Sequence, residues 1–297
     1  MIARKPLIEN AGIIFGRVIE RISKRTEVPE FPFGITQLDE LTHGIARERV
    51  SIIAARPSEG KTSFGLQTAY RNAAAGKMVA YISLEDDREQ LVEKLFCNVF
   101  SLDNTQLKRG LSPTIEAAKP NAEQMFSNLR LIALDGFGYN FSELRNVVMM
   151  VNPKPELIFL DYIQMIDGVQ KESRWETISE FIRQVKKFAL DEKIAIVILS
   201  QINRGGVDVE RPSLHHLKQA GTLEEVADLV LILHHPFRYG QPSYDYSSKN
   251  STGIEQAPQD YLEVQIEKNK TGRIGIVPVK FEGQFYKFSD WETWICR

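Results

Sequence analysis

Ala55-Arg56-Pro57-Ser58-Glu59-Gly60-Lys61-Thr62 follows the apolar, β-branched run Val50-Ser51-Ile52-Ile53-Ala54 and leads into a helical pattern that begins near Gly60. A loop set between a buried strand and a helix aims its backbone N–H groups inward, where they can hold phosphate oxygens. Lys61 then supplies a point charge for the β- and γ-phosphates, and the Thr62 hydroxyl is placed to ligate Mg²⁺. Ala55 stands where the strict form of this pattern has Gly. Its methyl group is acceptable provided the residue keeps a negative φ. The plainer reading, a Gly-containing strand-to-helix turn, lacks any reason for the Lys-Thr pair. The octet therefore predicts a nucleotide-binding α/β domain.

Outward from this loop, strand-like runs recur near Val50–Ala55, Met78–Leu84, Leu129–Leu134, Leu157–Asp161, Ile194–Ser200, Leu229–Leu233 and Tyr261–Glu267. Several are near-continuous apolar stretches, as parallel strands covered on both faces require. Helical segments at 62–75, 87–100, 141–151 and 173–191 lie between them and make repeated βα units. Right-handed crossovers then give one open, mostly parallel sheet flanked by helices, with ligands at the carboxyl ends of the strands. One such domain accounts for residues 31–297.

Residues 1–30 read differently. Within 8–25, Ala11, Ile14, Phe15, Val18, Ile19 and Ile22 form an apolar stripe opposite Arg17, Glu20, Arg21 and Lys24. Thr26 to Pro32 breaks this helix with two prolines and acidic residues, as a linker does. The stripe alone leaves open whether the helix docks on its own domain or on a neighbour. Residues 236–260 are rich in Pro, Ser, Tyr, Asn and Gly, without periodicity, and predict a long surface loop.

The chain has 297 residues, a net charge of −2 and a pI near 6.3, so no overall basic field draws it to nucleic acid. Any such contact needs a local basic surface, possible where several subunits each contribute one. Cys97 and Cys296 lie far apart without metal spacing and read as reduced thiols. The pairs His215-His216 and His234-His235 have no metal-ligand spacing either and read as structural or surface residues. The longest apolar runs are of strand length, too short to span a bilayer, and the N-terminus makes a poor signal peptide. A cytoplasmic protein without membrane contact is expected.

Three further strand ends complete the candidate site. Leu157-Ile158-Phe159-Leu160-Asp161 is a hydrophobic strand ending in a carboxylate that, beside a phosphate loop, holds Mg²⁺. Ser83-Leu84-Glu85 ends the strand after the loop helix, where a carboxylate can orient and deprotonate an attacking water. The alternative is that Glu85, Asp86 and Asp87 all cap the next helix; we take Glu85 as the base and Asp86 as the cap. Gln201 ends Ile198-Leu199-Ser200-Gln201, where a neutral amide can sense a γ-phosphate or be a simple polar loop residue. Spacing does not choose between these.

The ordered set resembles the C-terminal ATPase domain of the DnaB family of ring-shaped replicative helicases. It runs from Phe33-Gly34-Ile35 and Leu38-Asp39-Glu40-Leu41 through the phosphate loop, Ser83-Leu84-Glu85, Leu160-Asp161-Tyr162-Ile163-Gln164 and Leu199-Ser200-Gln201-Ile202-Asn203-Arg204. Leu217-Lys218-Gln219-Ala220-Gly221-Thr222, Ala227-Asp228 and Glu267-Lys268-Asn269-Lys270-Thr271-Gly272 close it. The resemblance implies a RecA-like P-loop NTPase core behind a linker helix that packs on the adjacent subunit of a hexamer. It implies that Ser58, Glu59, Gly60, Lys61, Thr62 and Ser63 bind ATP, with Thr62 and Asp161 on Mg²⁺. It also implies that Glu85 activates water, that Gln201 couples the γ-phosphate to movement, and that Lys268 and Lys270 reach a neighbour's nucleotide. Lys218, Gln219 and Gly221 resemble the family's loop for single-stranded DNA. Primase or a helicase loader would be further partners. A RecA-, RadA- or KaiC-like ATPase, or an ATP-gated accessory ring, is the alternative.

This sequence departs from the family in three ways. Residues 1–30 stand where the family carries a primase-interacting domain, so a helicase core of the phage or plasmid kind, or a truncated chain, is expected. Lys270 replaces the usual Arg finger, which keeps the charge and loses the planar fork, and Arg273 is the rival candidate for that role. Lys218 and Gln219 replace an Arg and a Glu of the DNA loop.

Overall fold

The computed structural model describes residues 10–23, 29–110, 112–136, 139–161, 174–202, 211–217, 220–241 and 257–291. Val50–Ala55 (β1) is buried along its whole length. Around it stand β2 (Val79–Ser83), β3 (Leu131–Asp135), β4 (Leu157–Asp161), β5 (Ala195–Gln201), β6 (Leu229–His234), β7 (Tyr261–Asn269), β8 (Gly275–Glu282) and β9 (Lys287–Asp290). They form one sheet in the order β3-β2-β4-β5-β1-β6-β7-β8-β9, with β1 at its centre. The pairs from β3 to β6 are parallel, and those from β6 to β9 are antiparallel. All seven expected strands are present, with ends shifted by a residue or two. The hairpin β8–β9 is additional to them.

The pleat of β1 sorts its residues between two cores, since successive side chains point to opposite faces. Ile53 and Ala55 face one core, and Val50, Ile52 and Ala54 face the other. The first core is closed by Phe64, Ala69 and Ala73 of helix α3 (Lys61–Ala74) and by Leu91 and Leu95 of α4 (Arg88–Phe100); α1 and α2 lie N-terminal to β1, at Ala11–Ser23 and Thr36–Thr42. The second is closed by α7 (Phe141–Met150) and α8 (Arg174–Glu192); α5 and α6, at Asn104–Leu107 and Pro113–Ser127, precede them. On α8, Phe181, Ile182, Val185, Phe188 and Ala189 recur at helical spacing and give it one buried stripe. The result is a three-layer α/β domain with the sheet in the middle.

Helices α2, α5, α6 and α9 (Ala220–Val226) add to the expected set. α6 starts where Ser112 Oγ accepts from the Ile115 N–H at 3.4 Å, with Pro113 in the first turn. It also contains Pro120, which hides it from a pattern search.

Helix α1 lies inside the expected span 8–25, of which residues 8–9 and 24–25 fall outside the described residues. In this single chain its Ile13, Phe15 and Ile19 are exposed, at 61%, 63% and 47%. Of the expected surface loop at 236–260, Pro236–Tyr239 instead forms a 3₁₀ turn that buries Pro236, and 242–256 lie outside the described residues.

Candidate functional site

The passage from β1 into α3 is shaped by two left-handed residues, Ser58 at φ 64° and Gly60 at φ 85°. Gly60 is doubly required, because a Cβ there would also lie 2.9 Å from the Phe288 ring and 3.0 Å from that of Phe281. Ala55 remains within β1 and is not among the residues of positive φ, so its methyl group fits without strain. α3 has no acidic residue in its first turn, which leaves its positive end to an incoming anion.

A cavity of about 600 Å³ opens over this turn, a size suited to a nucleotide. Of the anticipated residues, Ser58, Gly60, Lys61, Thr62, Ser63, Glu85 and Gln201 line it. They come from the carboxyl ends of β1, β2 and β5, where an open parallel sheet binds its ligands. Asp161, at the end of β4, sits just behind. Its side chain is 3% exposed, with Oδ1 2.9 Å from Lys61 Nζ and Oδ2 accepting from the Tyr81 hydroxyl at 2.7 Å. Oδ1 is buried and receives no well-aligned hydrogen bond, so it retains a lone pair for a hard cation or its water shell. Together with the Thr62 hydroxyl on the cavity wall, this donor set fits Mg²⁺. Burial, and then the Asp161 charge, push the Tyr81 phenol well above its ordinary value, so it stays a neutral donor.

Glu85 is exposed to the cavity. Partial burial lifts its carboxyl above the usual range, Lys61 opposes this, and Asp161 and Asp86 add to it. The expected cap at Asp86 is corrected by the structure. Asp87, in extended backbone, caps α4 by accepting from the Gln90 N–H at 2.8 Å, while Asp86 forms an ion pair with Lys94.

Glu59 also departs from expectation. It does not line the cavity but is fully buried beneath the loop, where Oε1 accepts from the Tyr239 hydroxyl at 3.0 Å. Burial raises its carboxyl, with Tyr239 and then Arg56 pulling the other way.

Lys94, Arg238, Phe281 and Tyr286 form cavity walls that sequence reasoning missed. The last two arrive on the β8–β9 hairpin, which buried amides pin to the core. Gln67 Nε2 donates to the Phe288 carbonyl at 2.8 Å, the Phe288 N–H donates to Gln67 Oε1 at 2.8 Å, and Asn98 Nδ2 donates to the Tyr286 carbonyl at 2.6 Å. A buried Gln and Asn inside apolar helices are the only sequence trace of this arrangement.

Lys268 and Lys270 lie elsewhere. Lys268 Nζ donates to the Glu224 carbonyl, and burial followed by the nearby Lys270 lowers its affinity for a proton. Lys270 Nζ lies 3.2 Å from Oδ1 of Asp228, a carboxylate that also pairs with Arg49 through Oδ1 and with Lys186 through Oδ2. Of the expected DNA loop, Lys218 and Gln219 lie outside the described residues, and Gly221 is exposed on α9. One link from the cavity leads toward it. Ile202, next to Gln201, donates its N–H to the Ala55 carbonyl at 2.9 Å and forms an antiparallel bridge with Leu217.

His234 and His235 are buried, and among the described residues no cluster of His, Cys, Asp or Glu around them could hold a metal ion. His234 Nε2 lies 2.7 Å from Gln241 Oε1, and its Nδ1 is buried without a hydrogen-bond partner among the described residues. Burial lowers its pKa to about 4. An unfolded chain would take up that proton near pH 6.5, so stability present above pH 6.5 is lost as pH falls toward 4, by on the order of 3 kcal/mol. The thermal midpoint should therefore drop across this window, and His234→Gln should flatten the drop. An identical pH slope in the variant would show that His234 does not drive it.

Residues 31–290 match the family model described as the DnaB-like helicase C terminal domain. The replicative DNA helicase DnaC of Bacillus subtilis (strain 168) is 30% identical over 283 residues, covering 92% of this chain and 60% of the relative. The chain thus spans about 60% of the length of such curated relatives. A solved ATPase domain superposes with a TM-score of 0.81 at 26% identity, over 96% of this chain and all of that one. A DnaB-like replicative helicase, solved in a study of its interactions with primase, gives 0.77 at 25% identity, over 97% of this chain and 68% of that one.

Proposed function

The chain belongs to the DnaB-like helicase C-terminal domain family, and from that premise we propose that it is the ATP-hydrolysing motor of a ring-shaped DNA helicase. The observation that carries this reading is the meeting of Lys61, Glu85 and Gln201 around one cavity, with Asp161 directly behind Lys61. ATP is the substrate, its phosphates lying on the N–H groups of Ser58 to Ser63. Thr62 and Asp161 would hold Mg²⁺, which supplies charge neutralisation between the β- and γ-phosphates when bound. Lys61 exchanges its pairing with Asp161 for the phosphates. Glu85 takes the proton of the water that attacks the γ-phosphorus, and Lys268 and Lys270 come from a neighbouring subunit. Gln201 reports the γ-phosphate through Ile202 and Leu217 to the stretch containing Lys218, Gln219 and Gly221, which contacts the backbone of single-stranded DNA. The exposed Phe15 and Ile19 of α1 support docking on a neighbour in a homohexamer. Primase or a loader would act on the assembled ring.

The test is strand displacement on forked duplexes of both polarities with ATP, run beside a light-scattering mass of the assembled protein. ATP turnover by a ring that displaces neither fork would sink the helicase reading and favour a RecA- or KaiC-like remodelling ATPase. Within the site, Glu85→Gln should retain ATP binding and lower turnover roughly a hundredfold, the usual scale for a general base. Because burial raises the Glu85 carboxyl, wild-type turnover should fall off on acidification at a pH above the ordinary glutamate value. Asp86 is already neutralised by Lys94, so Asp86→Asn should cost far less. If Asp86→Asn proved the slower variant, the wrong acid has been chosen.

A further inference from the structure

Glu59 is a fully buried carboxylate that the hydrolytic mechanism does not use, yet it lies within the loop that must receive the phosphates. Its side chain folds back to the start of that loop, where Oε2 accepts from the Arg56 N–H at 3.3 Å, while the Glu59 N–H donates to the Arg56 carbonyl at 3.3 Å. The second oxygen accepts from Tyr239, a residue 180 positions away on the turn after β6. Tyr239 is itself held by two ring contacts. The Arg56 guanidinium lies 4.3 Å from its ring centroid, and the His234 imidazole stacks on it at 5.6 Å. The neighbouring Arg238 lines the nucleotide cavity.

The loop between these anchors carries Ser58 in the left-handed region, which a side-chain-bearing residue adopts only when its surroundings impose it. A backbone nest binds anions only while its N–H groups converge, so whatever fixes the loop fixes the affinity. We propose that Tyr239 and Glu59 are positioning residues that hold the phosphate loop in its anion-receiving shape from beneath. Neither side chain touches the nucleotide. Their contribution falls on nucleotide affinity and not on the chemical step, which belongs to groups on the other side of the loop. The inference rests on the reading of the cavity as a nucleotide site.

The experiment measures binding of a fluorescent ATP analogue with Mg²⁺, and steady-state ATP turnover, on the full chain. Tyr239→Phe keeps the ring contacts with Arg56 and His234 and removes only the hydroxyl. It should weaken binding and raise KM about tenfold, with kcat changed less than about twofold, the scale of one lost hydrogen bond to a buried charged group. Glu59→Leu should lose at least as much, and Glu59→Gln, whose amide oxygen still accepts, should recover most of that loss. Adding Tyr239→Phe to Glu59→Leu should cost less than Tyr239→Phe costs alone, because the hydroxyl has then lost its carboxylate acceptor and keeps only its contact with Arg56. A Tyr239→Phe variant that binds like wild type, that loses kcat with KM unmoved, or that adds its full tenfold to Glu59→Leu would overturn the proposal. Should Glu59→Leu not fold, the KM-against-kcat split in Tyr239→Phe decides alone. A wild-type chain that does not bind the analogue removes the nucleotide-site reading itself, an outcome distinct from an indifferent Tyr239→Phe.

Discussion

Lys61→Ala is expected to abolish ATP hydrolysis, by roughly a thousandfold or more, because it removes the one loop cation aimed at the transferring phosphate. The structure adds a second consequence. Lys61 Nζ lies 2.9 Å from a carboxylate that is only 3% exposed, so the substitution also strips Asp161 of its paired charge. Some loss of thermal stability should accompany the loss of turnover, and it could be mistaken for the cause. The double variant Lys61→Ala, Asp161→Asn separates the two, since a neutral amide beside Tyr81 no longer needs a cation. It should melt closer to wild type while remaining inactive. Phosphate release and a thermal melt on the same samples check both halves. Near-normal turnover in folded Lys61→Ala would sink the assignment of the phosphate loop.

How far the sequence foretold this site follows from the range of the interactions that build it. β1, β4 and β5 are apolar runs buried on both faces, and Lys61 and Asp161 stand at their ends or one loop beyond. Such features are local in the chain and therefore legible. The Gln67–Phe288 pairing spans 221 positions, and the hairpin it pins alternates buried with half-buried residues around Pro278, so neither periodicity nor spacing announced it. Arg238, Phe281 and Tyr286 went unseen for the same reason. Glu59 shows a different limit. Its place in the loop was plain, but the direction of its side chain depends on Tyr239, a partner supplied by the turn after β6. The cap of α4 was misplaced by one residue because the choice between Asp86 and Asp87 rests on backbone angles, φ −70° and ψ 161° at Asp87, that the composition of an acidic triplet does not encode.

Lys270→Ala is expected to lower DNA-stimulated turnover by roughly a thousandfold, the scale of a finger residue supplied in trans, and far more than Arg273→Ala. Within one chain Lys270 has no route to its own phosphate loop. β6 runs parallel to β1, with Leu233 beside Ala55 at the carboxyl end and Leu229 beside Asn269 at the other. Those four steps put about 13 Å of strand between the two ends. Lys270 instead rests on Asp228, and because Arg49 and Lys186 also pair with that carboxylate, Lys270 can leave without stranding a buried charge. Arg273 sits three residues on, exposed past the Gly272 turn, and accepts from Asn269 Nδ2 through its backbone carbonyl. Mixing decides the matter. Combining Lys270→Ala subunits with Glu85→Gln subunits creates some interfaces with an intact Glu85 facing an intact Lys270, and these should regain part of the lost hydrolysis once mass measurement confirms mixed rings. Recovery requires that one competent interface can turn over beside inactive neighbours. If mixed rings form and Lys270→Ala alone remains fully active, Lys270 is not the trans residue, and the same mixing test passes to Arg273.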